Sequence, residues 1–332
     1  MCFFVRHLEV LALYYFCGDF MDKKNIEIFY DYFDFISNHL YHEYEKTYLE
    51  GMNEAFSLLL DDETEGEYRE EDILLLREQK EMIIDIEFHP EEVRKSVQLG
   101  LLKGYKHAYQ SNAQITPDTL GLFVGYLIKK LYKKMPLETL LDPLVGTGNL
   151  GYAIINYLEK DIKLFGVDED HLKCNLARNI GDLLNIENEI FYQDTVSYYD
   201  QGFDCMVTDM PPITDHDDYL PYKVINHHLD GLKEGGYFFS IIDNDFFEKS
   251  GSDVFKKEID SKGYIFGLIK LSETLFKGTP KSILIIRKKG DNIKQLKDFL
   301  LVDLPSFNDV HSFNNTLSQI EKWIETREDE LI

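Results

Sequence analysis

Leu141-Asp142-Pro143-Leu144-Val145-Gly146-Thr147-Gly148-Asn149-Leu150-Gly151 is the stretch whose reading decides the fold. The residues that lead into it, Thr139 to Leu141, read as a strand, its glycines as a turn, and Asn149 to Glu159 as a helix. A second apolar run, Lys163 to Val167, ends on Asp168. Strand, glycine turn, helix, strand and acid is the order in which an α/β protein holds a nucleoside-bearing ligand. Glycines let the backbone turn tightly and come close to a ligand, because a residue without Cβ reaches positive φ at little steric cost. An acid about 20 residues further on suits ribose hydroxyls.

Working outward, the chain after Ser111 alternates short β-like runs with helical ones. Beyond the two strands above, the runs are Glu189 to Tyr192, Phe203 to Thr208, Gly236 to Ile242, Tyr264 to Leu271 and Ser282 to Arg287. Helical spacing occupies Pro117 to Lys133, Asp170 to Leu184, Tyr222 to Leu232 and Ser252 to Ser261. Such alternation predicts a mainly parallel sheet with helices on both faces. Upstream, Lys23 to about Leu60 carries aromatic and apolar residues at three- and four-residue intervals and reads as helix. The acidic run Asp61 to Glu67 reads as a solvated loop, followed by helices from Glu71 to about Ile84 and from Pro90 to Ala108. These apolar helical faces need a partner, either the domain that follows or a second copy of the chain. The division expected is a helical region over 1–110, an α/β domain over 111–290 and a tail over 291–332 that closes with a helix from Ser312 to Glu325.

Composition bounds the function. The 332 residues are 44% hydrophobic, enough for a large core, and carry a formal charge of −25, which repels polyanions unless basic residues cluster locally. Indiscriminate nucleic-acid binding is disfavoured on that ground. Cys2, Cys17, Cys174 and Cys205 show neither CxxC spacing nor a partnered histidine pair, so no metal site and no disulfide framework are indicated, and a reducing cytoplasm fits best. The aromatic-rich first 20 residues are interrupted by Arg6, His7, Glu9 and Asp19 and lack a cleavage site, so Met21 competes with Met1 as the start. No membrane association is expected.

The chemistry concentrates at the strand ends. Gly146-x-Gly148-x-x-Gly151 alone also fits a dinucleotide fold, but a carboxylate at Asp142 would repel a pyrophosphate. It suits a ligand with a cationic amino group, and S-adenosylmethionine carries one beside its nucleoside. Asp168 would take the ribose, and Asp194, after the next strand, an adenine amino group. The strand Phe203 to Thr208 then runs into Asp209-Met210-Pro211-Pro212. Asp209 and the Pro211 carbonyl would hold the protons of an amine whose lone pair faces the reactive methyl. Among weaker features, Thr214 to Asp218 reads as a polar loop and His227-His228 on a helix points two ways. Lys277, Lys281, Arg287, Lys288 and Lys289 form a late basic cluster, read either as a phosphate contact or, as strand-end lysines commonly are, as just solvated.

Ordered motifs from about Gln114 to Lys289 resemble the class I S-adenosylmethionine-dependent methyltransferases, specifically the N6-adenine-specific DNA methyltransferases related to type I modification subunits. Gln114-Ile115-Thr116-Pro117 is similar to that family's Q-x-x-T-P motif, one residue shorter here. Asp142 to Gly148 resembles its D-P-x-x-G-T-G loop, and Leu271 to Thr279 followed by Ser282 to Ile286 resembles a late family motif. The resemblance implies a Rossmann-like sheet of seven strands with the last antiparallel. It implies S-adenosylmethionine as cofactor, held by Thr116, Pro117, Asp142, Pro143, Gly146, Thr147, Gly148, Asn149, Asp168, Asp194 and Thr195. Catalysis would fall to Asp209, Pro211 and Pro212. The departure is in the catalytic tetrapeptide, where the family carries (N/D)-P-P-(Y/F) and this chain has Asp-Met-Pro-Pro, without the aromatic residue that stacks on a flipped adenine. Tyr219 or Tyr222 in the following loop is a candidate to supply that stacking, against coincidence in a chain with 21 tyrosines. The expected activity is methyl transfer to an amino nitrogen, nominally of DNA adenine with a partner subunit supplying recognition. The alternatives are a non-DNA acceptor or a regulatory protein that binds the cofactor without turnover, and the N-terminal helices offer a homodimer surface.

Overall fold

The computed structural model of the chain describes residues 22–108, 115–211, 219–273 and 280–327. The first 21 residues, Gln114, Pro212, the loop Thr214 to Asp218 and Lys277 lie outside the described residues.

Four helices come first: α1 (Lys23–Tyr44), α2 (Tyr48–Asp61), α3 (Glu70–Glu81) and α4 (Pro90–His107). The single helix expected from Lys23 to Leu60 is thus two helices. Glu45 takes a left-handed conformation at the end of α1, and Thr47 starts α2 with a reciprocal capping box to Glu50. The α4 start is as expected from Pro90, with His89 and Glu92 forming a second such box.

The α/β part follows: α5 (Asp118–Leu131), β1 (Thr139–Asp142), α6 (Asn149–Leu158), β2 (Lys163–Asp168), α7 (His171–Leu183), β3 (Asn188–Tyr192), β4 (Phe203–Asp209), α8 (Leu220–His228), β5 (Leu232–Asp243), α9 (Ser252–Lys262), β6 (Gly263–Lys270) and β7 (Lys281–Lys288). From the stretch read as a tail come β8 (Leu300–Asp303) and α10 (Val310–Glu325). The strands form one sheet in the order β3-β2-β1-β4-β5-β7-β6-β8. All neighbours are parallel except where β7 runs against β5 and β6. The first seven strands give the Rossmann-like methyltransferase sheet with its antiparallel last strand, and β8 extends it to eight. Phe299-Leu300-Leu301-Val302 is a short apolar run with no helical stretch between β7 and it to mark a further strand–helix unit. It is recruited because β6 has an open edge on which it pairs from Gly267↔Leu300 to Lys270↔Asp303.

The helical region and the sheet share one core: Phe33, Met52 and Tyr105 belong to the same buried cluster as Leu140, Leu164 and Ile285. Of the two partners left open for the N-terminal helices, the fold supplies the α/β part, which shares their buried cluster. Polar contacts cross the same boundary, as Asn179 on α7 donates to Asn53 and Ser57 on α2. Arg94, buried on α4, binds both Glu91 and Asp118, the first residue of α5. No helix among the described residues is long and apolar enough to cross a membrane.

Candidate functional site

The chain winds from β1 to β2 and β3 on one side, then returns to β4 and β5 on the other, so the sheet reverses its direction of growth between β1 and β4. Helix connections diverge there, leaving a crevice beyond the carboxyl ends of the strands. A cavity of about 790 Å³ occupies it, lined by the strand-end acids Asp142, Asp168, Asp194 and Asp209 together with Thr116, Gly146, Thr147, Asn149, Thr195 and Pro211. Three more residues assigned from sequence support its wall without lining it: Pro117 caps α5, Gly148 caps α6, and the Pro143 carbonyl accepts a hydrogen bond from the Thr195 hydroxyl at 2.6 Å.

The glycine turn is built as the sequence suggested. Gly146 and Gly148 have φ of +53° and +80°, and a Cβ at Gly148 would come within 2.2 Å of the Tyr152 ring. At Gly146 the same atom would meet nothing within 4 Å, so that side of the turn is open toward the cavity. The Gly146 amide donates to Asp168 Oδ2 at 3.1 Å, tying the turn to the end of β2. Asp168 Oδ1 accepts from the Asp170 amide, which leaves lone pairs of the carboxylate for further donors.

Asp142 is the buried acid of the site, 2% exposed, with the Leu144 amide 3.1 Å from its Oδ1. Burial pushes its pKa up to about 7, and the negative charges of Asp209 and Asp168 add to the rise. A carboxyl group in that state gains most from a cation brought beside it. Asp194 is exposed and caps the turn that follows β3, accepting from Val196 N and Ser197 Oγ. Thr195, next to it, is buried, and its single hydroxyl hydrogen goes to Pro143 O. The contact of 2.9 Å to His228 Nε2 is then donated by the ring. His228 is held neutral because burial, with His227 adding to it, takes its pKa down to about 3.

The other end of the cavity is arranged differently. Asp209 Oδ2 accepts from Thr116 Oγ1 at 2.9 Å, and the Thr116 carbonyl accepts from Asn149 Nδ2 at 2.7 Å. Asp209 Oδ1 accepts from Lys281 Nζ at 2.7 Å, and the same ammonium donates to the Met210 carbonyl at 3.1 Å. Two members of the late basic cluster are buried rather than solvated, Lys281 at 5% exposed and Arg287, while Lys288 and Lys289 are partly exposed. Lys281 is the residue the sequence reading missed. It opens β7 opposite Asp243 at the end of β5, and because β7 alone among the described strands runs antiparallel, its first residue lands at the edge where the parallel strands finish. The carbonyl engaged beside Asp209 is that of Met210, while Pro211 is exposed on the cavity rim. Lys173, Glu169, Asp170 and Leu220, none singled out from sequence, also line the cavity. Tyr219 and Tyr222 are not free to stack on a ligand base. Both are buried against Phe246, Tyr222 lies parallel to Phe255 with centroids 4.5 Å apart, and its hydroxyl donates to the Phe246 carbonyl.

Comparison with known proteins bears on this geometry at two levels. Residues 27–105 match the family described as the YtxK N-terminal helical domain. A crystal structure from Listeria monocytogenes, of a protein inferred to be a class I S-adenosylmethionine-dependent methyltransferase, has 33% identity and a TM-score of 0.82, covering 91% of this chain and 100% of that one. The type IIG restriction endonuclease BpuSI is similar in fold alone, with 13% identity and a TM-score of 0.58 over 96% of this chain and 42% of its own. Bacillus subtilis YtxK is 30% identical over 327 residues, 91% of this chain and 98% of that protein. Helical region and α/β sheet are thus matched together along nearly the full length of both proteins, and the chain belongs to the YtxK family.

Proposed function

We propose that the protein is an S-adenosylmethionine-dependent methyltransferase acting on an amino nitrogen. The observation that carries the reading is Asp142: a buried carboxyl at the end of β1, its pKa raised to about 7, beside a glycine turn open to a cavity of about 790 Å³. That combination fits a ligand bearing a cationic amino group on one side and a nucleoside on the other. In this reading Asp142 pairs with the amino group, Asp168 accepts the ribose hydroxyls, and Asp194 with Thr195 borders the base. Thr116, Thr147 and Asn149 frame the cofactor from the α5 and α6 side. Bound there, S-adenosylmethionine would supply a methyl carbon on a sulfonium, the S–CH3 electron pair staying with sulfur.

Asp209 then faces the acceptor. Its carboxylate accepts a hydrogen bond from the incoming amine, orients the nitrogen lone pair and receives the one proton released as the N–C bond forms. The 33% identity to the Listeria protein supports the general activity, and the sequence motifs point to adenine N6 in DNA as the nominal acceptor. The charge of −25 asks for a partner that brings the nucleic acid, or for an acceptor of another kind. A second reading, a cofactor-binding regulatory protein, is favoured by one observation: Asp209 is already engaged by Lys281 and Thr116. Incubation of wild type and D209A with methyl-labelled cofactor and fractionated DNA, RNA and protein separates the two. Label in one fraction that D209A fails to transfer is the expected result. Tight cofactor binding with no labelled fraction would leave the regulatory reading in its place.

A further inference from the structure

We propose that Lys281 is the specificity-determining residue of the acceptor end: its ammonium holds the seat of the acceptor amine, and an amine enters only by displacing it toward Asp243. The inference rests on the methyltransferase reading above and deepens it. An amine is held in such a site by one side-chain oxygen and one backbone carbonyl. Lys281 Nζ already donates to one of each, Asp209 Oδ1 at 2.7 Å and Met210 O at 3.1 Å. With Lys281 almost fully buried, these bonds are charge-assisted and little screened. A neutral amine offers weaker donors to the same atoms and does not take them while the ammonium stays.

The structure also provides somewhere for the ammonium to go. Asp243 is the register partner of Lys281 across β5 and β7, and its Oδ1 is buried without a hydrogen-bond partner among the described residues. A buried carboxylate oxygen left unmatched is costly and calls for a physical reason. Burial raises the Asp243 pKa, whereas the charge of Lys281 lowers it. Lys281 therefore stands between two carboxylates, fully engaged with one and within the field of the other. Moving Nζ from Asp209 to Asp243 exchanges one ion pair for another and frees Asp209 Oδ1 and Met210 O together.

The test uses two cofactor analogues and needs no identified substrate. S-adenosylhomocysteine lacks the methyl group, whereas sinefungin carries a primary ammonium where that methyl would stand. The affinity ratio, sinefungin over S-adenosylhomocysteine, measured by calorimetry on the full chain, reports whether the amine seat is free. K281M is expected to raise the ratio at least tenfold over wild type, while K173M, which removes a lysine elsewhere in the cavity, moves it less than threefold. A K281M ratio within threefold of wild type, or a K173M change as large, would overturn the proposal. D243N gives an independent arm should K281M fold poorly: without a second seat for the displaced ammonium the ratio falls at least threefold, and a rise would contradict the mechanism. Wild-type protein that binds neither analogue would overturn the cofactor reading itself, and this inference with it, a result distinct from any change in the ratio.

Discussion

The two ends of one cavity differ in how their charges are settled. At the β1–β2 end, Asp142 is buried without a cation among the described residues, and Asp168 accepts from the backbone amides of Gly146 and Asp170. At the β4 end, Asp209 is matched by a lysine and a threonine from two other elements. The first end is poised for a cationic ligand and the second has already neutralised itself. Most of the difference comes from topology. Parallel strands deliver their acids to one edge, and among the described strands the antiparallel β7 delivers a cation there, beside β5 and within reach of Asp209 on β4.

The change expected to break the comparison most severely is G148V. The backbone there has φ of +80°, and any Cβ meets the Tyr152 ring at 2.2 Å. Left-handed strain of about 1–2 kcal/mol and overpacking of about 1–3 kcal/mol should combine to lower the thermal midpoint by about 5 °C or more. Cofactor binding should fall below detection by calorimetry, because the turn that approaches the ligand no longer closes.

D209A comes next and separates the ends. Methyl transfer should drop by about a hundredfold or more, in line with loss of a general base, whereas cofactor affinity should weaken by less than about fivefold. Single-turnover kinetics set beside a binding titration measure the two effects. An equal loss in both would mean that the ends are not separable.

D142N sharpens the other end. Loss of a charge-assisted contact of about 1.5–3 kcal/mol should weaken S-adenosylmethionine by about 10- to 100-fold. The same variant has a pH signature. The folded pKa of Asp142 is about 7, above its ordinary value of 3.8, so the folded chain binds this proton more tightly than the unfolded one. The stability it contributes to the cofactor-free protein is fully present below about pH 4 and is lost as pH rises through 7. His228 acts in the opposite sense: with its pKa lowered to about 3, its contribution is present above 6.5 and is lost as pH falls. Denaturation of D142N across this window should therefore lack the decline toward neutral pH that Asp142 imposes on wild type, leaving the opposite trend of His228 in view.

The smallest effect is expected from T195V, which removes the hydroxyl between Pro143 O and His228 Nε2. Leaving a buried carbonyl and a ring N–H unmatched should cost about 1–3 kcal/mol of stability, read by chemical denaturation, with only a few-fold change in cofactor affinity.

How much of this was legible in the sequence follows the same division. The β1–β2 end was readable because its signals are local: strand, glycines, helix and acids lie in chain order from Leu141 to Asp194 and need only period and turn chemistry. The break at Glu45 was readable in principle, since Thr47 and Glu50 spell a capping box inside what looked like continuous helical spacing. Lys281 was not, because its role depends on a residue 72 positions away meeting it across an antiparallel register that no local pattern encodes. β8 was hidden for a related reason, as four residues become a strand only when an open edge receives them. Tyr219 and Tyr222 show the converse, residues suited to stacking by type yet committed to Phe246 and Phe255 by packing.

The most direct test of the account is proton release on cofactor binding. S-adenosylmethionine titrated into wild type and D142N near pH 6, in two buffers of different ionisation enthalpy, reports the protons exchanged. With Asp142 at about 7 before binding and ionised beside the amino group afterwards, wild type should release close to one proton and D142N none. Tight binding to wild type without proton release, or equal release by D142N, would contradict the assignment of Asp142 as the carboxylate that holds the cofactor.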